Sequence, residues 1–246
     1  MRLAWRNLLY DRLRFFVTIA GIAFSIVLML FQGSLLMGLA GISTKLIEIA
    51  SPDIWITARG VESFESSVSL PERDRQTALG VKGVSSVDRI VTGTAVWRSE
   101  SGEQQTVFII GADRGISPHF PLPYEGGAII PESVLIDQSD RPLLEIDKTP
   151  TTVEISGARA RVLKSIEGFG SIIGTPYVFT SYQDGVKYLN LGDETMLLLV
   201  KIADGANRET VRRQLRSRLP NVEVRTQTEF LQLARAFLLI QLLPEK

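Results

Sequence analysis

Residues 15–44 read FFVTIAGIAFSIVLMLFQGSLLMGLAGIST, from Phe15 to Thr44, without a single Asp, Glu, Lys, Arg or His. Arg14 closes the run on one side and Lys45 on the other. A bilayer's hydrocarbon core is about 30 Å thick, and about 20 helical residues cross it. The run is therefore long enough to span and then continue for further turns. It predicts a transmembrane helix and stalk over 15–45, with Phe15, Gly21, Ser25, Phe31 and Met37 as membrane-span positions. Gly21 and Ser25, and again Ser34 and Gly38, have the small-xxx-small spacing that lets a second helix approach in lipid. With no ionisable group inside, the helix offers no proton relay or ion ligand.

Working outward to the N-terminus, MRLAWRNLLYDRLR sets Arg2, Arg6, Arg12 and Arg14 against one acid, Asp11. Leu3, Trp5, Leu8, Leu9 and Leu13 add apolar contact. This pattern predicts an interfacial helix over 1–14 lying on the cytoplasmic face, by the positive-inside rule. The remainder of the chain is then extracytoplasmic. Two other readings compete. A cleaved signal peptide would have a shorter apolar region, and its only small-residue site, Gly38-Leu39-Ala40, lies far from the arginines. A buried core helix would not run so long without charge.

Composition narrows the classes. Twenty-seven basic residues balance 27 acidic ones, so no basic excess points to nucleic acid. There is no cysteine, which excludes disulfides, thiolate nucleophiles and cysteine metal sites. The one histidine, His119, cannot build a multi-histidine metal cage. About 200 residues follow the apolar run, enough for one large or two small domains.

Ser51-Pro52 ends the helix, and Asp53–Ala58 reads as a strand. Residues 60–70 read as a loop. Pro71 opens a helix with acids in its first turn and Ser69 or Leu70 near its cap, ending by Gly80. Val84–Trp97 and Gln105–Gly111 flank the turn Ser99–Gly102 and predict a hairpin. Residues 113–127 are rich in Gly and Pro and read as a connector. Short strands follow at 128–130, 151–155 and 159–166, with a helical turn near 139–144 and a tight turn at Gly157-Ala158. This part, 118–170, reads as a β-rich insertion. Gly168-Phe169-Gly170, continued to Gly174, misses the dinucleotide fingerprint by one position and reads as a return loop. The α/β order then resumes: strand 176–180, a helix 181–189 capped by Ser181, strand 194–202, a helix from cap Asn207 to Leu219, strand 222–226, and a final helix capped by Thr228. Val211, Leu215 and Leu219 form an apolar stripe. Arg208, Arg212, Arg213, Arg216 and Arg218 on the same helix read as a solvated face. Phe230–Leu243 contains Arg235 and is too short to span.

No catalytic constellation emerges. No Gly-x-Ser-x-Gly elbow frames a nucleophile. His119 stands alone beside Pro118 and reads as a surface residue. Glu62 and Glu65 lie in a polar loop. No catalytic residue, cofactor or metal is expected.

Several pieces resemble ABC transporter permeases of the macrolide-exporter (MacB-like) type. They are the start AWRNLLYDRLRF, the span beginning TIAGIAFSIVLM, and Asp53-Ile54-Trp55. The first span is also similar to the heterocyst-glycolipid exporter (DevC-like) permeases. Val134-Leu135-Ile136-Asp137, Gly168-Phe169-Gly170, Pro176-Tyr177-Val178-Phe179 and Val222–Thr226 follow in the order of that family's periplasmic core domain. The resemblance implies an α+β chain: one N-terminal transmembrane helix, then an extracytoplasmic βαβ-type layer with a β-rich inserted subdomain. It places the MacB-like periplasmic core domain at 46–230 and makes 231–246 the approach to a second span, before which the chain stops. It implies an inner (plasma) membrane exporter subunit, or the N-terminal fragment of one. The external domain would couple ATPase-driven motion to an adaptor or substrate. Partners implied are a separate ABC ATPase subunit, a periplasmic adaptor, a second copy or the remaining permease half, and membrane lipid. The cell-division (FtsX-like) permeases, which regulate cell-wall hydrolases, are relatives of the same type. The alternatives are a membrane-tethered binding or sensory module and, further off, an anchored hydrolase.

Overall fold

The computed structural model describes residues 12–50, 52–65, 68–113, 131–170 and 174–241. It divides into two units, residues 1–41 and 42–246. Nearly all of the expected interfacial helix at 1–14, the expected strand at 128–130, and His119 lie outside the described residues.

Helix α1 runs Arg12–Ala50. In the first unit its stretch Leu13–Ser34 is long and apolar enough to cross a membrane. Phe16, Val17, Phe24, Met29 and Phe31 are all exposed. A surface helix in water would keep a polar face, and this one has none. The hydroxyls of Thr18 and Ser25 donate to the carbonyl oxygens of Arg14 and Gly21 at 2.8 and 2.9 Å. Neither is left unsatisfied in apolar surroundings.

The second unit is built on a mixed sheet. Its strands are β1 (Ile54–Ala58), β3 (Val84–Arg98), β4 (Gln104–Ala112), β5 (Ser133–Asp137), β6 (Thr151–Ile155), β7 (Ala158–Ile166), β8 (Tyr177–Ser181), β10 (Leu197–Ile202) and β11 (Val222–Arg225). The order is β11-β1-β10-β3-β4-β8-β5-β7-β6. A small second sheet pairs β2 (Leu70–Pro71) with β9 (Glu194–Thr195). The helices are α2 (Glu72–Leu79), α3 (Tyr182–Tyr188), α4 (Arg208–Arg218) and α5 (Gln227–Gln241).

Strand β3 belongs to two structures. Its first half, Val84–Ile90, pairs with β10, and Ile90–Arg98 pairs with β4. Its end, Trp97 and Arg98, also pairs with Ile155 and Glu154 of β6. The run β3-β4-β8-β5-β7-β6 therefore returns on itself and closes a ring. Trp97, Ile109, Val134, Ile136, Val162 and Val178 form one buried cluster within it. Closure removes free edges from this half of the sheet. The other half stays open and is covered on both faces. Alternate residues of β1 and β10 divide between two clusters. Ile54, Ile56, Leu198 and Val200 pack with Val211 and Leu215 of α4. Trp55, Leu197 and Leu199 pack with Leu46, Ile47 and Phe230. Burial on both faces explains why LLLV at 197–200 runs apolar without alternation.

The chain is thus the expected α+β fold with a long N-terminal apolar helix. The hairpin, the Ser181 and Asn207 caps and the apolar stripe of α4 are all present. Several local features differ. Strand β5 was not among the expected strands, and it joins β7 and β8 across the expected insertion. The expected strand 194–202 is broken at Met196, because Thr195 turns aside to pair with Leu70. Ser69 and Leu70 do not cap α2. Leu70 and Pro71 are extended in β2, and the Glu72 N–H donates to the Asp193 carbonyl at 3.2 Å. The β6–β7 turn falls one residue earlier than expected, at Ser156-Gly157, both at positive φ as a two-residue hairpin requires. The α5 cap is Thr226 rather than Thr228. Its Oγ1 accepts from the Glu229 N–H at 3.3 Å while Glu229 Oε2 accepts from the Thr226 N–H at 2.8 Å, a reciprocal capping box.

Helix α3 lies unusually close to β4. A Cβ at Gly185 would meet Val91 Cγ2 at 2.7 Å and Gly111 Cα at 2.9 Å. Gly185→Ala is predicted to destabilise the domain by about 1–3 kcal/mol through overpacking. Urea denaturation of the detergent-solubilised chain measures this. Gly192→Ala, with nothing within 4 Å of its Cβ, is the near-neutral control.

Candidate functional site: the base of the N-terminal helix

Within the second unit, the last turns of α1 change character. Thr44, Leu46, Ile47 and Ala50 are buried, while Lys45 and Glu48 reach sideways. Apolar residues at i, i+1 and i+4 make a one-sided helix, in contrast to residues 15–34. Three other parts of the chain converge on these turns.

The first is helix α5. A helix ends with carbonyl groups that lack intrahelical partners. Gln227 Nε2 donates to the carbonyls of Ile47 and Glu48 at 3.1 and 3.0 Å. Arg235 pairs with Glu48 at 2.8 Å, and Phe230 packs on Trp55 with ring centroids 5.1 Å apart. The second is the loop after β7. Lys45 Nζ donates to the Gly168 carbonyl and lies 4.6 Å from the centre of the Phe169 ring. Gly168 has φ +89°, and a Cβ there would meet Lys45 Nζ. The Phe169 N–H donates to Asp137 Oδ2 at 2.6 Å, and Asp137 Oδ1 accepts from the backbone and hydroxyl of Ser139. The loop is thereby fixed to the end of β5. The third is β1, through Trp55.

Electrostatics fasten the surrounding elements. Burial pushes the Glu229 carboxyl up, but the Thr226 N–H and Arg212, with Arg216 beyond, outweigh it and hold the group below its ordinary value. Arg212 Nη2 donates to both Glu229 oxygens at 2.7 and 2.9 Å, joining α4 to α5. Burial likewise raises Asp53, but the Ile202 N–H, Lys201 and Arg208 together leave it lowered. Arg89 binds Asp113 at 2.8 Å, approaches Glu72 at 3.6 Å and stacks on Tyr182 at 3.9 Å. That network holds α2 and α3 against β3.

The arrangement joins separate elements of the domain to the end of α1. Among the described residues no group of three or more His, Cys, Asp or Glu is placed to hold a metal. Phe15, Gly21, Ser25, Phe31 and Met37, expected in the membrane span, all lie on α1, the first four within its stretch apolar enough to cross a membrane. Glu65, half-buried, accepts from the Tyr177 hydroxyl at 3.2 Å. The described part of the Gly168–Gly174 run rests against Asp137, whose carboxylate would repel a phosphate. The arginines of α4 form the expected exposed face, with Arg208, Arg213, Arg216 and Arg218 exposed and Arg212 half-buried, but four of them also hold neighbouring elements. Arg208 pairs with Asp53, Arg212 with Glu229, and Arg216 and Arg218 donate to the carbonyls of Val224 and Gly80. The sequence marks Lys45 only as the border of the apolar run and Asp137 only within the Val134–Asp137 motif, and it gives Gln227 no signal. The capping box Thr226-x-x-Glu229 ahead of an apolar run was the one local signal that could have marked the start of α5.

The model of the family described as MacB-like periplasmic core domain matches residues 15–218. Two solved structures share the fold. The periplasmic region of MacB from Actinobacillus actinomycetemcomitans is 14% identical with a TM-score of 0.57, covering 80% of this chain and 96% of its own. The extracellular domain of the noncanonic ABC-type transporter YknZ from Gram-positive bacteria is 13% identical with a TM-score of 0.53, covering 72% and 100%. No curated protein matches the sequence.

Two outcomes follow from the geometry. Gln227→Ala should cost about 0.5–1.5 kcal/mol, since it removes the donor to two partly solvated carbonyls at the end of α1. Equilibrium unfolding reads this directly. Glu229 is held low in the folded state, so its stabilisation is complete above its unfolded value. It is lost as pH falls through the lower folded value. Glu229→Gln should therefore flatten the acid limb of the stability curve below about pH 4.5. An unchanged limb in that variant removes this residue from the acid response.

Proposed function

Because the chain belongs to the MacB-like periplasmic core domain family, we propose that it is a membrane subunit of an ABC-type exporter. Its external domain, 46–230, passes ATPase-driven motion to an adaptor or to the substrate. The observation that carries this reading is the continuity of α1. A helix with a stretch apolar enough to cross a membrane runs on into turns that are part of the external domain's own core. Packed interiors shift between discrete arrangements rather than deforming smoothly. A displacement of Leu46 and Ile47 would therefore be felt by Trp55, Phe230 and the Gly168 loop together.

In this reading the arginine-rich start keeps the N-terminus in the cytoplasm. The domain lies outside the inner (plasma) membrane, in the periplasm or its equivalent. ATP is hydrolysed on a separate ABC ATPase subunit, and the span packs against a second copy or against further permease helices. The similarity to the extracellular domain of an ABC-type transporter supports that partner class.

The test is coupling. The chain is purified in nanodiscs with the ABC ATPase that accompanies it, and ATPase turnover is measured alone and with adaptor. Lys45→Ala combined with Gln227→Ala should leave basal turnover in place and reduce adaptor stimulation severalfold. If no ATPase accompanies the chain, or if the double variant couples like the parent, the reading is wrong.

A further inference from the structure

Two Asp-Gly dipeptides occur in the chain, Asp184-Gly185 and Asp204-Gly205, and no asparagine precedes a glycine. Glycine has no side chain to shield its amide nitrogen. The nitrogen after an aspartate can therefore reach that residue's own carboxyl carbon and close a five-membered ring. Whether it does so depends on how the fold holds the pair, and the fold holds these two differently.

Asp184 and Gly185 are both buried, inside helix α3. Asp184 Oδ2 accepts from the Ser181 hydroxyl at 2.7 Å and from the Glu132 N–H at 2.9 Å. Gly185 is pressed on β4, where a Cβ would meet Gly111 Cα at 2.9 Å. Carboxylate and nitrogen are each held in place.

Asp204 and Gly205 are exposed, in the turn between β10 and α4. The Ala206 N–H donates to the Ala203 carbonyl at 3.0 Å, and Gly205 has φ +79°. Those are the marks of a type II turn, with Asp204 and Gly205 as its central residues. Neither the Asp204 carboxylate nor the Gly205 N–H has a hydrogen-bond partner among the described residues. Nothing lies within 4 Å of a Cβ at Gly205. Types I and II differ by a rotation of the central peptide and keep the same closing bond. The nitrogen is therefore free to turn towards the carboxyl.

We propose that Asp204-Gly205 is a site of spontaneous isoaspartate formation, an age-dependent modification of the backbone. The Gly205 nitrogen attacks Asp204 Cγ. A C–N bond forms, the nitrogen gives up its proton, and a side-chain oxygen leaves as water. Water then adds to either carbonyl of the ring and breaks one C–N bond. Opening at the Asp204 backbone carbonyl leaves the chain running through Cβ and Cγ, with a free α-carboxylate. One water leaves and one enters, and nothing is oxidised or reduced. The product has an extra backbone carbon just before Asn207, which caps α4 by accepting from the Thr210 N–H at 3.0 Å. Arg208, paired with Asp53 at 3.2 Å, follows directly.

The full chain in detergent micelles is aged at physiological temperature in water enriched in heavy oxygen, then digested and mapped by mass spectrometry. A parallel sample is aged in urea until the unfolded chain has converted. In the folded chain the peptide carrying Asp204 should gain heavy oxygen and split into two chromatographic forms. The peptide carrying Asp184 should react at least about tenfold more slowly, since it does so only through local opening. In urea the two should react at similar rates. Asp204→Glu, whose ring would be six-membered, should keep the fold by circular dichroism and lose the new form. No isoaspartate at Asp204 of the folded chain, comparable rates at Asp204 and Asp184 before unfolding, or a new form that persists in Asp204→Glu would each overturn the proposal.

Discussion

The second unit depends on the burial of Leu46, Ile47 and Ala50 beside Trp55 and Phe230. Each of these five side chains is at most 1% exposed. Burying a residue such as Leu or Ile contributes about 1.5–3 kcal/mol. The chain must therefore enter the sheet domain as a helix, with a defined face turned inward. That face requires Lys45 and Glu48 to emerge at its borders, where Gly168 and Arg235 receive them. The same geometry places the last carbonyls of α1 within reach of Gln227. Core packing sets the orientation, and the polar contacts follow from it.

What could be read from the sequence was local. The apolar run, the β3–β4 hairpin, the Ser181 and Asn207 caps and the stripe Val211–Leu215–Leu219 depend on neighbours a few residues apart. The ring was not legible. Its closure rests on the parallel pairs β4–β8 and β5–β7 and on the short β3–β6 contact. Parallel partners come from distant parts of the chain, and no turn residue announces them. Ser133–Asp137 illustrates the limit: five residues buried on both faces show no alternation. The candidate site was hidden for a related reason. Lys45 and Gly168 are 123 residues apart, and Gln227 and Ile47 are 180 apart. In each pair a side chain meets a backbone carbonyl, a contact open to any residue type on the accepting side.

The arginines of α4 face solvent and also reach their neighbours, for a reason that physical chemistry explains. A guanidinium is a planar fork that can donate to a carbonyl or a carboxylate at the end of a long apolar stem. Here the helix docks beside the sheet's open edge, and its arginines reach past its own surface. Arg216 covers the Val224 carbonyl on β11, which blunts an edge that would otherwise pair with another chain. Arg212 and Glu229 tie α4 to α5, and Arg208 joins Asp53 just beyond the end of α1. The ionic contacts form a chain from α4 through α5 to the base of α1. Each pair is exposed in part and is worth little alone. Together they attach the helices around the base of α1 to one another without adding apolar surface. They therefore restrict sliding between elements that apolar packing alone leaves poorly defined in direction. A core of Leu, Ile and Phe cannot supply that directional restraint, and under the proposed function it is what passing on motion through this domain would require.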